Sequence, residues 1–98
     1  MRPLSSDLTD EDKRPYFLWD EDISLREFKQ RLHGPDPSER LRMLAKLMRE
    51  AKDTDVRAFV KPQDAADALP LLARKLGRRQ GFWDFLIEGW RRHGVIAR

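Results

Sequence analysis

The stretch that most constrains the fold of this 98-residue chain lies near its C-terminus, between residues 76 and 94. It holds two of the three tryptophans, two of the five phenylalanines and four arginines. Because large aromatic side chains dominate the burial energy of a small domain, we expect the fold to condense around a helix in this stretch. The helix is predicted to begin near residues 77–79 and to end at His93, before Gly94. Its predicted core face, with Trp83 and Ile87 beside it, consists of Phe82, Phe85, Leu86, Gly89 and Trp90.

Capping residues and prolines predict four shorter helices before it. Ser24, with Glu27 three residues later, is a capping box at the start of the first. Asp36 followed by Pro37 is a typical start for the second, and Pro62 for the fourth. No stretch shows the alternation of a strand, so the predicted fold class is all-α, a compact array of about five short helices without a sheet. The four shorter helices are predicted at residues 25–33, 37–52, 55–60 and 62–68.

The helix predicted at residues 37–52 has an amphipathic pattern. Its apolar stripe, which we expect to face the core, consists of Leu41, Leu44, Met48 and Ala51, and Ala45 and Leu47 widen it. The basic residues of this helix, Lys46 among them, lie mostly off the stripe, so we expect them to form a solvated cationic face.

Residues 1–15 are polar and acidic, with little to bury, and are predicted to form a flexible tail. Residues 16–98 are assigned to a single helical domain. Four large apolar residues and an aspartate mark the boundary: Tyr16, Phe17, Leu18, Trp19 and Asp20. One interpretation is that this segment packs on the domain's own core. The other is that it inserts into a partner's groove, with all of these residues except Leu18 as contacts.

Charge is distributed unevenly along the chain. Residues 1–69 carry 13 basic and 15 acidic side chains, whereas residues 70–98 carry 7 basic and 2 acidic ones. Such polarity is compatible with a solvated face, a nucleic-acid surface, an acidic protein partner or pairing between the two ends of the chain. The candidate basic patch consists of Arg74, Arg78, Arg79, Arg91 and Arg92.

The sequence contains no pattern that predicts catalysis, a metal site or a cofactor. It has no cysteine, and its two histidines, His33 and His93, have no partner at metal-ligand spacing. It also lacks a phosphate-binding loop and a pair of carboxylates placed for acid–base work. We therefore expect a protein that is not an enzyme and that uses no metal and no cofactor. Without a long apolar run or an apolar leader, we expect a cytoplasmic location and no membrane contact.

Two segments of the chain together resemble a known family. The first comprises residues 16–20 and 24–28, and the second comprises residues 76–86 with Trp90 and Arg91. Across about residues 16–96 the chain resembles a family of short, mostly uncharacterised prokaryotic proteins encoded beside nucleotidyltransferase toxins of the AbiEii/AbiGii type. The resemblance implies an antitoxin-like protein that binds and neutralises a cognate nucleotidyltransferase.

The resemblance leaves the mode of neutralisation open between direct binding, repression and modification, and it assigns no site residues. In direct binding, the contact surface would be either the acidic tail with its aromatic run or the arginines of the last helix. The alternative function is a nucleic-acid-binding regulator that uses the basic C-terminal region. Its contacts would be Lys75 and the five arginines of the candidate basic patch. The oligomeric state and the substrate of the toxin are not predicted.

Overall fold

A computed structural model describes residues 2–97, which are mostly helical. The prediction of a helical fold built from short helices is confirmed, whereas the predicted absence of a sheet is wrong, because two short strands pair near the N-terminus. The strands are β1 (Leu4–Ser5) and β2 (Arg14–Pro15), and the helices are α1 (Leu25–Leu32), α2 (Pro37–Glu50), α3 (Asp53–Val56), α4 (Pro62–Ala68) and α5 (Gln80–Arg92). Two 3-10 helices, Leu69–Leu72 and Gly77–Arg79, connect α4 to α5.

Local capping chemistry sets the start of α1 and α2, as the sequence predicts. The Ser24 hydroxyl accepts a hydrogen bond from the backbone N–H of Glu27 at 3.2 Å. The Asp36 carboxylate accepts from two backbone N–H groups at the start of α2, at 3.0 and 3.4 Å. Helix α3 begins at Asp53 and not at residue 55, because the Lys52 carbonyl already accepts from the N–H groups of Asp55 and Val56.

The N-terminal segment packs against the start of α1. Strands β1 and β2 are parallel, and the Tyr16 N–H donates to the Ser5 carbonyl at 2.9 Å. The carbonyls of Lys13 and Glu11 accept from the first N–H groups of α1, which lack partners inside the helix. The prediction of a flexible tail did not anticipate these contacts, since they join backbone groups that carry no sequence signal. Met1 lies outside the described residues.

A buried arginine holds the turn that follows β2. The Arg14 side chain donates from Nε to the Leu18 carbonyl at 2.9 Å and from Nη1 to the Arg2 carbonyl at 3.0 Å. Its Nη2 also donates to the Trp19 carbonyl. Because a guanidinium offers five N–H donors in a fixed plane, this one side chain ties both the chain terminus and the turn to β2.

The core contains two groups of aromatic rings, and the first brings together the aromatic run and helix α1. Phe17 and Phe28 meet edge to face with ring centroids 5.0 Å apart, and Phe59 packs on both. Leu18 and the α2 residues Met43 and Leu47 are fully buried. The interpretation that the aromatic run packs on the domain's own core is therefore correct for Phe17 and Leu18.

The second group lies on α5, whose buried face differs from the prediction. Trp83, Ile87 and Trp90 are buried, whereas Phe82 and Phe85 point outward with 40% and 79% of their surface exposed. Trp83 packs edge to face on Trp90 at 6.2 Å, and its indole N–H donates to the Met48 carbonyl at 2.7 Å. Both faces of α5 carry apolar residues at helical spacing, so periodicity alone could not choose between them.

The buried side of α2 also differs from the prediction, since it includes Met43 and Lys46. Leu41 and Leu44 are only partly buried. Lys46, expected on a solvated face, is buried and its ammonium group lies 2.7 Å from the Asp20 carboxylate, with Glu21 as a second partner. The cause is the turn after Trp19, which folds these carboxylates over α2. A charged group is buried here because it is paired.

Candidate partner interface

The aromatic run and the basic patch, far apart in sequence, approach each other at the junction between α2 and α3. We call residues 51–55 the junction. The Tyr16 hydroxyl donates to the Asp55 carboxylate and accepts from the Lys52 N–H at 2.9 Å. From the other side, the Arg79 guanidinium donates to the Ala51 carbonyl. The junction therefore connects the turn at Tyr16 with the start of α5.

The environment of Tyr16 keeps its hydroxyl protonated. Burial raises the pKa of Tyr16, the hydrogen bond to Asp55 raises it further, and the Lys52 N–H and the charge of Arg79 act in the opposite direction. The ring packs edge to face on Phe17 at 5.4 Å. Tyr16 thus contributes a structural contact inside this protein, with part of its surface left accessible.

Of the four residues predicted as partner contacts in the aromatic run, Trp19 is the exposed aromatic one. Its exposed fraction is 56%, whereas Phe17 is buried at 1%. Asp20 accepts a hydrogen bond from Lys46, which lowers the pKa of its carboxyl against the effect of partial burial. Trp19 is therefore available for contact with a partner, whereas Phe17 and Asp20 already have partners within the chain.

The predicted basic patch is divided between the two ends of α5. Arg74, Arg78 and Arg79 precede the helix, and Arg91 and Arg92 end it, roughly 18 Å away at 1.5 Å per residue. Arg91 and Arg92 both lie within ion-pair distance of Glu88, at 3.0 and 3.8 Å. The five arginines therefore do not form one patch.

The arginines before α5 lie in an unusual stretch of backbone. Arg74 has φ 70°, in the left-handed region, which costs a residue other than glycine about 1 kcal/mol. Gly77, three residues later, adopts φ 55° without such a cost. Arg74, Lys75 and Arg78 are exposed, and within residues 2–97 none of their side chains has a carboxylate within ion-pair distance. Strained backbone of this kind is concentrated at functional positions.

An aromatic surface adjoins these cations. We call the outward side of α5, formed by Gly81, Phe82, Phe85 and Gly89, the open face. Phe82 supports the Arg79 guanidinium, which lies 4.9 Å from its ring centroid. No atom lies within 4 Å of the position that a Cβ would take at Gly81 or Gly89. The prediction placed most of these residues on one face correctly but directed that face toward the core.

The structure also bears on metal binding and on membrane insertion. In residues 2–97 no three His, Cys, Asp or Glu side chains are grouped so that they could hold a metal ion. None of the helices within this range is both long and apolar enough to cross a membrane. No family model, curated protein or solved structure matches the chain.

Proposed function

We propose that this protein is an antitoxin-like binding protein that neutralises a cognate nucleotidyltransferase by direct contact. The proposed contact surface is the open face of α5 together with the arginines that precede it. The observation that carries this proposal is the 79% exposure of Phe85, beside Phe82, on a helix whose opposite side forms the core.

The composition of this surface is that of a binding hot spot. Aromatic residues and arginine are enriched among the residues that contribute most to protein–protein affinity. Arg79 is stacked on Phe82 and fixed by its hydrogen bond to the junction, so it would lose little side-chain entropy on binding. Gly81 and Gly89 leave the helix backbone open to close approach by a partner.

Charge supports an acidic partner surface. Phosphoryl-transfer enzymes hold their metal ions with carboxylates, and such a site would attract the unpaired cations Arg74, Lys75 and Arg78. The alternative contact through the acidic N-terminal segment has less support, because Glu11 and Asp12 pair with Arg26 and Lys29 inside the chain. The identity of the partner as a nucleotidyltransferase comes from the sequence resemblance.

The proposal is tested by co-expression with a nucleotidyltransferase of the AbiEii/AbiGii type from the same genome, followed by size-exclusion chromatography and calorimetry. We expect a stable complex, and we expect the double variant Phe82→Ser/Phe85→Ser to weaken binding about 100-fold or more, as two hot-spot residues would. The control is Leu4→Ser, which removes an apolar residue of β1 whose exposed fraction, 47%, lies between those of Phe82 and Phe85. Separate elution of the two wild-type proteins at micromolar concentration contradicts the proposal.

A second candidate function is nucleic-acid binding, favoured by the unpaired and exposed side chains of Arg74, Lys75 and Arg78. It requires an affinity that falls steeply with salt, because phosphate contacts release counterions. Titration of a duplex and a single strand at two salt concentrations separates the two functions. Binding whose salt dependence decreases in an Arg74→Ala/Arg78→Ala variant would favour the nucleic-acid reading.

A further inference from the structure

A second surface lies on the other side of α2, away from the ion pairs with Asp20 and Glu21. It is a groove of about 670 Å³ between α2 and the segment formed by α4 and the first 3-10 helix. One wall carries Pro37, Leu41 and Leu44, at steps of four and three residues along α2. Phe59 and Val60 line the groove between its walls. We call this feature the α2–α4 groove.

The opposite wall also follows helical spacing. Lys61, Asp64, Ala68 and Leu71 succeed one another at steps of three and four residues. Leu71 is 65% exposed, and Leu41, Leu44 and Val60 are only partly buried. The groove therefore leaves apolar side chains in contact with water on both walls, as surfaces that bind a partner do.

Charge at the groove identifies the kind of partner. Arg40 and Lys61 line it, and within residues 2–97 neither side chain has a carboxylate within ion-pair distance. Asp64 is the acidic residue of the lining. An occupant with carboxylates beside its apolar contacts would pair with Arg40 and Lys61.

We infer that the α2–α4 groove is a docking site for an acidic amphipathic helix of a partner protein. Both walls are helical and present side chains at helical spacing, which is the surface that receives the ridge of a third helix. Such a helix would place an i, i+3, i+4, i+7 apolar stripe on Leu41, Val60 and Leu71 and its glutamates toward Arg40 and Lys61. This site is separate from the open face of α5 and does not depend on the proposed function.

The test uses a synthetic peptide of about 18 residues, long enough for partial helicity on its own, with leucines in such a stripe and glutamates on both flanks. A second peptide has the same composition in an order that removes the stripe. Calorimetry with the full-length protein should show saturable binding of the first peptide only. Amide chemical shifts should change at Leu41, Val60 and Leu71 and stay constant at Phe82 and Phe85.

Two charge reversals form a matched pair. Lys61 and Lys52 are both exposed and both precede a helix without a side-chain capping bond. We expect Lys61→Glu to weaken peptide binding about fivefold or more and Lys52→Glu to leave it unchanged. Leu71→Glu, at a position exposed enough to tolerate it, should weaken binding further.

Three outcomes would overturn the inference. They are equal effects of Lys61→Glu and Lys52→Glu, equal binding of the two peptides, and no saturable binding at about millimolar peptide, where even the weakest specific contact is measurable. A dimer of the unliganded protein in sedimentation velocity that Leu71→Glu dissociates would assign the groove to a second copy of this chain. Absence of a complex with the nucleotidyltransferase, or unchanged binding in the Phe82→Ser/Phe85→Ser variant, would contradict the proposed function and leave the peptide result unaffected, so the two proposals fail independently.

Discussion

The two halves of this molecule treat their charged residues differently. In residues 2–50, most cations pair with a carboxylate of the same half: Lys13 with Asp7, Arg26 with Asp12, Lys29 with Glu11, Arg31 with Glu27, Arg42 with Glu21, Lys46 with Asp20 and Arg49 with Glu50. In residues 51–97, the ion pairs are those of Glu88 with Arg91 and Arg92. The same half exposes Phe82, Phe85 and Leu71.

We infer from this difference that the availability of charge, more than its density, distinguishes the surfaces proposed here as docking sites. The first half has the higher number of acidic residues and many basic ones, yet its charges satisfy one another. An isolated surface ion pair contributes little to stability, but it removes both side chains from the set that a partner can recruit. In the second half, Lys61, Arg74, Lys75 and Arg78 have no carboxylate within ion-pair distance among residues 2–97, and Phe82 and Phe85 are exposed. Both proposed docking sites include residues of this half.

The variant with the largest expected effect on stability tests this contrast by comparing two phenylalanines. Phe17, in the first half, is packed among Tyr16, Phe28 and Phe59. We expect Phe17→Ala to lower the free energy of unfolding by about 3–5 kcal/mol, because it leaves a cavity in the core. Phe85→Ala should change it by less than about 0.5 kcal/mol, since that ring contacts mostly water. Urea denaturation followed by circular dichroism measures both.

The same pair of variants reports on function in the opposite order. Phe85→Ala should weaken binding of the proposed nucleotidyltransferase partner, whereas Phe17→Ala should affect this binding only as far as the fold is lost. A loss of more than about 2 kcal/mol of stability in Phe85→Ala would show that this ring is buried in solution. The contrast between a buried Phe17 and an exposed Phe85 would then be wrong.

A smaller effect is expected from acid. The hydrogen bond from Lys46 lowers the pKa of Asp20. Burial acts to raise the pKa of Glu21, but the hydrogen bonds and the charges of Lys46 and Arg42 together outweigh it, so this pKa is lowered too. A carboxyl group whose pKa is lower in the folded protein than in the unfolded chain stabilises the fold at pH values above its pKa in the unfolded chain. This stabilisation is lost as the pH falls through its pKa in the folded protein. We expect wild-type stability to decline from about pH 5 to pH 3.

The variant Asp20→Asn/Glu21→Gln should show a shallower decline over the same range. At pH 7 it should be less stable by about 1–2 kcal/mol, less than for a fully buried pair because solvent screens the partly exposed Asp20. The matched control is Glu11→Gln/Asp12→Asn, a second adjacent acidic pair whose partners Arg26 and Lys29 are exposed. Equal effects in the two double variants would mean that the burial of Lys46 contributes nothing.

The smallest effect separates a paired arginine from an unpaired one. Arg42 lies 2.9 Å from Glu21 and 2.7 Å from Glu39, whereas Arg78 has no such partner within residues 2–97. Arg42→Ala should lower Tm by about 3 °C and Arg78→Ala by less than about 1 °C. The difference should disappear at about 1 M salt, where exposed charges are screened. Equal decreases in Tm for the two variants at low salt would show that the ion pairs do not distinguish the halves.

The parts of the fold that the sequence predicts well are those decided by neighbouring residues. Ser24, Asp36 and Pro62 act within one helical turn of their own position, so each helix start can be inferred from a few residues. The same holds for the set of residues that share one side of α5, because helical spacing is local.

The parts that the sequence could not predict depend on distant partners. The burial of Lys46 requires carboxylates 25 and 26 residues earlier, and the packing of residues 2–15 depends on bonds to backbone carbonyls. The orientation of α5 was missed because Trp83 and Phe82 are equally apolar neighbours. In the fold, the indole N–H of Trp83 donates to the Met48 carbonyl, and this acceptor belongs to another helix, which local spacing cannot reveal. The α2–α4 groove likewise was not predicted, because its walls are separate segments of the chain and local sequence patterns do not show that they lie side by side.

The placement of the three tryptophans gives the protein built-in optical labels. Trp83 and Trp90 are buried against each other, whereas Trp19 stands in water on the turn held by Arg14. Indole emission shifts to longer wavelength as its surroundings become more polar, so the intrinsic spectrum of this chain is the sum of two distinct populations. A Trp19→Phe variant would leave a spectrum that reports the core alone, and its difference from the wild-type spectrum would report the N-terminal turn alone. One unmodified protein can thus be observed at its surface and in its interior in the same cuvette.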